Sequence, residues 1–221
     1  MAAEGGHVGV VKILLERENV NPNQADTDYG RTPLWLAARG GHEGVVKMLL
    51  GRKEVNPDQA DIEYGRTPLA CAASNANEAV VKMFLERAEV NPDQEDTEYG
   101  RTPLSWAAAR RWDQGTAKIL LERTDVNPDR ADKCCRTPLS WAAEEGSEEV
   151  IKMLLERMDQ NPDQPDTEYG RTPLSWAAPE AWREGVVKML LELKDVNPDR
   201  ADQCSQRARP MVGRPIGRRP G

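Results

Sequence analysis

The side chains that could do chemistry in this chain of 221 residues are few and regularly placed. His7 and His42 each follow a Gly-Gly pair, and no serine or cysteine stands with them in a nucleophile–base–acid set. There is no glycine-rich phosphate loop ending in Lys-Ser/Thr. Four cysteines, Cys71, Cys134, Cys135 and Cys204, keep none of the spacings of a disulfide framework or a zinc site. The acidic clusters before each Tyr-Gly resemble calcium loops only superficially, because the glycine at the sixth ligand-loop position is missing. No catalytic, metal or cofactor chemistry is therefore expected. What remains is binding chemistry, carried by columns of like residues. Arg31, Arg66, Arg101, Arg136 and Arg171 form one, Tyr29, Tyr64, Tyr99 and Tyr169 another, and Trp106, Trp141 and Trp176 a third. Two further tryptophans, Trp112 and Trp182, stand apart beside charged residues.

These columns exist because the chain repeats itself. Arg-Thr-Pro-Leu begins at Arg31, Arg66, Arg101, Arg136 and Arg171, a spacing of 35 residues each time. A unit of that size, recurring, describes a solenoid whose units bury their apolar faces only by stacking. In residues 30–64, Thr32-Pro33 is a helix start: Thr caps the free N–H groups and Pro is pre-set for the first helical position. A short helix runs to Ala37-Ala38, small residues that admit a close neighbour. Gly40-Gly41-His42 breaks it, and Val45, Val46, Leu49 and Leu50 mark the apolar stripe of a second helix. Val55-Asn56-Pro57-Asp58 ends the helical part, and an acidic finger leads to Tyr64-Gly65.

The wording Thr-Pro-Leu, Ala-Ala, Gly-His, Val-Val-Lys-x-Leu-Leu and Val-Asn resembles the ankyrin repeat, and Tyr-Gly-Arg-Thr-Pro-Leu-Ser-Trp-Ala-Ala with Val-Asn-Pro-Asp is similar to arrays of filamentous fungi. The resemblance implies an all-α ankyrin solenoid: a partial repeat in residues 1–29, five repeats in 30–206, and an Arg/Pro/Gly tail in 207–221 expected to be disordered. The period exceeds the usual ankyrin period by two residues, placed in the fingers. The usual His after Thr-Pro-Leu is replaced by Trp35, Ala70, Ser105, Ser140 and Ser175. His7 and His42 fall where ankyrin histidines are structural. Units three and five carry an extra residue between their helices, Ala109-Arg110-Arg111-Trp112-Asp113 and Pro179-Glu180-Ala181-Trp182-Arg183. The finger of unit three is shortened to Asp132-Lys133-Cys134-Cys135 and loses its glycine, which should strain or reshape its tip.

By resemblance the function is a non-catalytic protein–protein interaction module that binds through the concave face. Finger tips and the segment after Ala-Ala contact partners in this family, which points to Tyr29, Tyr64, Tyr99, Tyr169, Arg39, Asn75, Arg110, Glu145 and Glu180, with Trp112 and Trp182 added as aromatic anchors. The competing reading is a recognition or spacer array of a larger signalling-type protein, of which this chain is a fragment. Each column also has a plainer role. The Trp106, Trp141 and Trp176 ladder is expected to pack in the core between units. The arginine column is expected to pair with finger carboxylates, and the tyrosines either pack on the next finger or meet a partner. Trp112 and Trp182 either stand exposed or fold over a neighbouring turn.

The chain carries −7, and residues 207–221 hold five Arg and no acid, which leaves −12 on residues 1–206. That balance argues against a nucleic-acid partner and suits a basic protein or simple solubility. The reduced cysteines and the absence of a signal peptide or a long apolar run point to an intracellular protein away from the membrane. Neither end reads as a polar cap, so end-to-end association is a further expectation.

Overall fold

The computed structural model describes residues 1–157 and 161–200; the expected tail 207–221 and Cys204 lie outside them. The described part contains eleven α-helices and no strand. α1 (Val8–Leu15) opens the array alone. It is followed by pairs: α2 (Pro33–Arg39) with α3 (Glu43–Leu50), α4 (Pro68–Ser74) with α5 (Glu78–Leu85), and α6 (Pro103–Ala108) with α7 (Gly115–Glu122). Then come α8 (Pro138–Glu145) with α9 (Glu148–Arg157), and α10 (Pro173–Ala177) with α11 (Glu184–Leu191); a 3-10 turn, Ala181–Arg183, precedes α11.

Every first helix starts the same way. Thr32, Thr67, Thr102, Thr137 and Thr172 each accept a hydrogen bond from the backbone N–H three residues on, and proline takes the first turn. In units three to five, Ser105, Ser140 and Ser175 also join hydroxyls with that threonine at 3.1, 3.3 and 3.2 Å. The serine thus satisfies itself locally in a fully buried position.

The core is a thin sheet of side chains running the length of the stack. Leu34, Leu69, Leu104, Leu139 and Leu174 from the first helices meet Val45, Val80, Ala117, Val150 and Val186 from the second. Each fully buried Leu or Val contributes about 1.5–3 kcal/mol. The paired alanines, such as Ala72-Ala73, are wholly buried and let neighbouring first helices approach. First helices therefore pack more closely on each other than second helices do.

Two further devices join consecutive units. Arg157 donates to the carbonyls of Leu121, Arg123, Thr124 and Val126, and Arg123 to those of Leu85 and Arg87, so an arginine ties off the end of the preceding second helix. On the finger side, the carbonyls of Tyr29, Tyr64, Tyr99 and Cys134 accept from the N–H of Ile62, Thr97, Lys133 and Thr167, all at 2.8 Å.

Candidate functional site

Each finger is organised by one aspartate. Asp96 accepts the N–H groups of Tyr99 and Gly100 on Oδ1, and its Oδ2 accepts the indole N–H of Trp106 at 2.9 Å. Asp132 and Asp166 do the same for Trp141 and Trp176 at 3.2 and 3.0 Å. Asp61, in a unit without that tryptophan, binds the N–H groups of Glu63, Tyr64 and Arg66. All four carboxylates are buried, so a large part of the finger acid is internal. In the shortened finger, Asp132 lies four residues before its arginine instead of five, and Cys135 takes the left-handed backbone, φ 58°, that Gly30, Gly65, Gly100 and Gly170 take elsewhere. The expected strain at that tip is thus located at one residue.

The tryptophan ladder lies at the border of the core: Trp176 is buried and Trp141 packs against the core from a half-buried position. Trp106 is half-buried too, and all three give their indole N–H groups to the finger aspartates. There they interleave with the arginine column. Arg66 lies 4.0 Å from the Trp106 ring, and Arg101 lies between Trp106 and Trp141 at 4.6 and 3.7 Å. Arg136 lies between Trp141 and Trp176 at 3.3 and 4.0 Å, and Arg171 closes the row at 4.6 Å. This alternating cation–π stack spans units two to five.

Carboxylate pairing, the role expected of the arginines, is found at Arg31 with Asp26, at Arg101 with Asp132, 3.9 Å apart, and at Arg136 with Glu144. Among the described residues no ion pair forms at Arg66 or Arg171, where aromatic rings take its place. Burial holds the Arg101 guanidinium below its usual range, although Asp132 opposes this.

The sequence-expected binding residues divide between this face and its edges. The tyrosines flank the stack: Tyr99 and Tyr169 meet Trp106 and Trp176 edge-on at 6.2 and 5.9 Å. Tyr29 and Tyr64 lie under Arg31 and Arg66. It is the tyrosine backbone, through its carbonyl, that reaches the next finger. The Tyr64, Tyr99 and Tyr169 phenols are pushed up by hydrogen bonds to Glu63, Glu98 and Glu168. Arg39 lies 5.8 Å from the Trp35 ring, and exposed Asn75 bonds back to the Cys71 carbonyl. Arg110 and Glu180 are exposed, and Glu145 is half-buried.

Trp112 and Trp182 take the two roles left open. Trp112 is 87% exposed, whereas Trp182, still 45% exposed, seats its ring on Gly146 in the turn of the preceding unit. His42 does the same over Gly6, with its Nε2 2.7 Å from the Glu4 carbonyl. Sequence reasoning missed the finger aspartates and the stack they organise. The signal was present as an Asp nine or ten residues before each of Trp106, Trp141 and Trp176.

A stack of helix pairs with projecting fingers and one continuous, aromatic and cationic open face defines a helical repeat solenoid. The sequence agrees with the family model for ankyrin repeats in three copies, over residues 1–61, 52–132 and 112–202. The chain belongs to the ankyrin repeat family. No curated protein matches it. No described helix is long and apolar enough to cross a membrane, and among the described residues no group of three or more His, Cys, Asp or Glu could hold a metal ion.

Proposed function

We propose that the chain is a non-catalytic module that holds a protein partner on the concave face formed by its first helices and fingers. Ankyrin repeats are generic protein-interaction modules, and the observation that carries this reading for this chain is the pre-formed Arg–Trp stack with tyrosines along its edge. Its side chains are ordered by the fingers before any partner arrives, so little ordering entropy is lost on binding. The contact set is Tyr29, Tyr64, Tyr99, Tyr169, Arg39, Asn75, Arg110, Trp112, Glu145, Glu180 and Trp182. The groups with nucleophilic potential support the absence of catalysis. Cys71 is buried and its thiol is pushed up to about 12 by burial, with Asp61 adding to the effect. Cys134 is raised by burial and by Asp132, which disfavours the reactive thiolate.

Net charge suited a basic partner, but Asp61, Asp96, Asp132 and Asp166 are buried, so that preference gains no support at the groove. Affinity capture from the source organism with the intact gene product tests the reading. A specific partner lost when Tyr64, Tyr99 and Tyr169 are changed to alanine, and kept when exposed Glu149 of α9 is, supports a concave binding face; capture indifferent to the tyrosines sinks it.

End-to-end association is a second proposal. Val10 and Ile13 are 49% and 58% exposed on α1, and Leu191 is 48% exposed on α11. A groove of about 270 Å³ opens beside α1 between Val11, Leu15, Val20 and Leu36. A single sedimentation species of monomer mass across the accessible concentration range removes this proposal.

A further inference from the structure

The longer interhelix turns of units three and five build a second stack outside the groove floor. It runs from Trp112 to Arg111 at 4.5 Å, from Arg111 to Trp182 at 3.7 Å, and from Trp182 to Arg183 at 4.5 Å. Arg111 belongs to unit three and Trp182 to unit five, so the pair bridges the turn of unit four, where Trp182 rests on Gly146. The end of the stack is open at Trp112, and one residue accounts for this. Wherever a unit lays a side chain over the preceding turn, that turn offers a glycine: Gly6 under His42, Gly41 under Asn77, Gly146 under Trp182. A β-carbon on Gly6 or Gly41 would come within 2.5 or 2.7 Å of the side chain above it. The turn before unit three has Ala76 instead, in the same left-handed conformation, φ 59°. Its β-carbon occupies that seat, and Trp112 stands out in solvent.

Arg111 lies against this open indole, and exposed Arg110 precedes it in the same turn. None of the ion pairs among the described residues uses Arg110, Arg111 or Arg183. Arg183 gives Nη1 to the Trp176 carbonyl, and its Nε is buried without a partner. Among the nearby carboxylates, Asp113 accepts the Thr116 N–H at the start of α7, and Glu144 pairs with Arg136. Glu145 is pushed toward its neutral form by burial and by Glu144, against Arg183 and Arg111. Glu180 is exposed in the unit-five turn.

We propose that this edge of units three to five docks an acidic segment of a protein partner carrying a large apolar side chain. The apolar group packs on the open face of Trp112, and the flanking carboxylates take Arg110 and Arg111. The Arg111 guanidinium lies within 4.5 Å of both indole ring centroids and forms no ion pair among the described residues, which leaves it able to bind a carboxylate. The proposal rests on the binding-module reading and names the chemistry of the partner.

The test uses a labelled peptide of Glu and Gly with one central Phe, its Lys-for-Glu counterpart, and the Phe-to-Gly form. Fluorescence anisotropy is followed on the full chain at low and high salt. The Glu–Phe peptide is expected to bind saturably and more weakly as salt screens the guanidiniums. Trp112→Ala is expected to lower its affinity about tenfold or more, as a central aromatic anchor does. Arg111→Gln should weaken it as well, while Lys118→Ala on the second-helix side leaves it unchanged. Trp112 buries little surface, so the thermal melt of Trp112→Ala should overlay the parent, and a lost affinity then reports contact rather than unfolding. The proposal is overturned if the Lys peptide binds as tightly as the Glu peptide, if removing Phe or Trp112 changes nothing, or if no acidic peptide binds. A Lys peptide that binds where the Glu peptide fails would leave a binding module standing and remove only the acidic segment.

Discussion

Two kinds of residue depart from what their position favours. Asp58 and Asp93 each accept the next unit's backbone N–H on Oδ2, from Asn91 and Asn127 at 2.9 Å, and leave Oδ1 buried without a partner. Burial pushes both carboxyls above the ordinary range, and the Asn91 and Asn127 N–H groups only partly reverse it. A carboxyl raised on folding holds its proton more tightly in the native state. Its contribution is therefore most favourable below about pH 4, the unfolded value, and declines as pH rises through the native value. The partial repeat before unit one shows the remedy: Asn23, at the equivalent place, accepts the Asn56 N–H at 3.0 Å and donates Nδ2 to the Glu54 carbonyl. Asp58→Asn and Asp93→Asn should therefore raise the melting temperature at pH 7. The gain should shrink to nothing in melts below about pH 4, where aspartate is neutral too. Cys135 and Ala76 are the second kind, the only non-glycine residues at positive φ among those described. The left-handed region costs a β-carbon residue about 1–2 kcal/mol, and glycine's extra chain entropy offsets about 0.5–1 of that. Cys135→Gly and Ala76→Gly should each gain about 0.5–1 kcal/mol in denaturant titrations, and an unchanged midpoint would remove strain as the reading of both sites.

At the scale of the element, the finger is a turn wound around one carboxylate rather than a loose loop. Asp96→Ala leaves the N–H groups of Tyr99 and Gly100 and the indole N–H of Trp106 to find water from a half-closed site. Stranding such donors should cost about 1–3 kcal/mol, with the Trp106 emission shifting as its hydrogen bond is lost; neither change would mean that the finger is held from elsewhere. The helix pairs were legible in the sequence because Thr-Pro starts, Ala-Ala ends and the Val-Val-x-x-Leu-Leu stripe are local signals, and each falls where the helices stand. The finger interior was not. Asp96 and Trp106 lie ten residues apart across a turn and a helix start, and no periodicity of one element relates them. The sequence therefore pointed to core packing of the tryptophans, which holds for Trp176 and in part for Trp141, but gave no sign that each indole N–H is claimed by a finger carboxylate. The ion pairing expected of the arginines is found at Arg31, Arg101 and Arg136, but their ring contacts across units, to Trp141 and Trp176, were not legible because those rings come from the next unit.

At the scale of the whole molecule, the described units touch their neighbours, and Arg111 also reaches Trp182 across unit four. A stack of this kind behaves as a one-dimensional array whose stability is the sum of unit and interface terms, so it need not open all at once. Among the described residues burial falls off outward: in α1 only Val11 is buried, and in α11 only Val186 and Leu190, against Val45, Val46, Leu49 and Leu50 in α3. The centre has two interfaces per unit, the interleaved Arg101 and Arg136, and the bridge over unit four. Amide exchange should therefore be graded along the chain, fastest in α1 and α11 and slowest in α6 to α9, the elements that the groove stack and the outer bridge both cross. Replacing Arg111 with Gln should speed exchange in α9 and α11 while leaving α3 and α5 unchanged, because the bridge acts only across units three to five. Uniform exchange along the whole array would mean a single cooperative unit, and the bridge would then have no separate role in its stability.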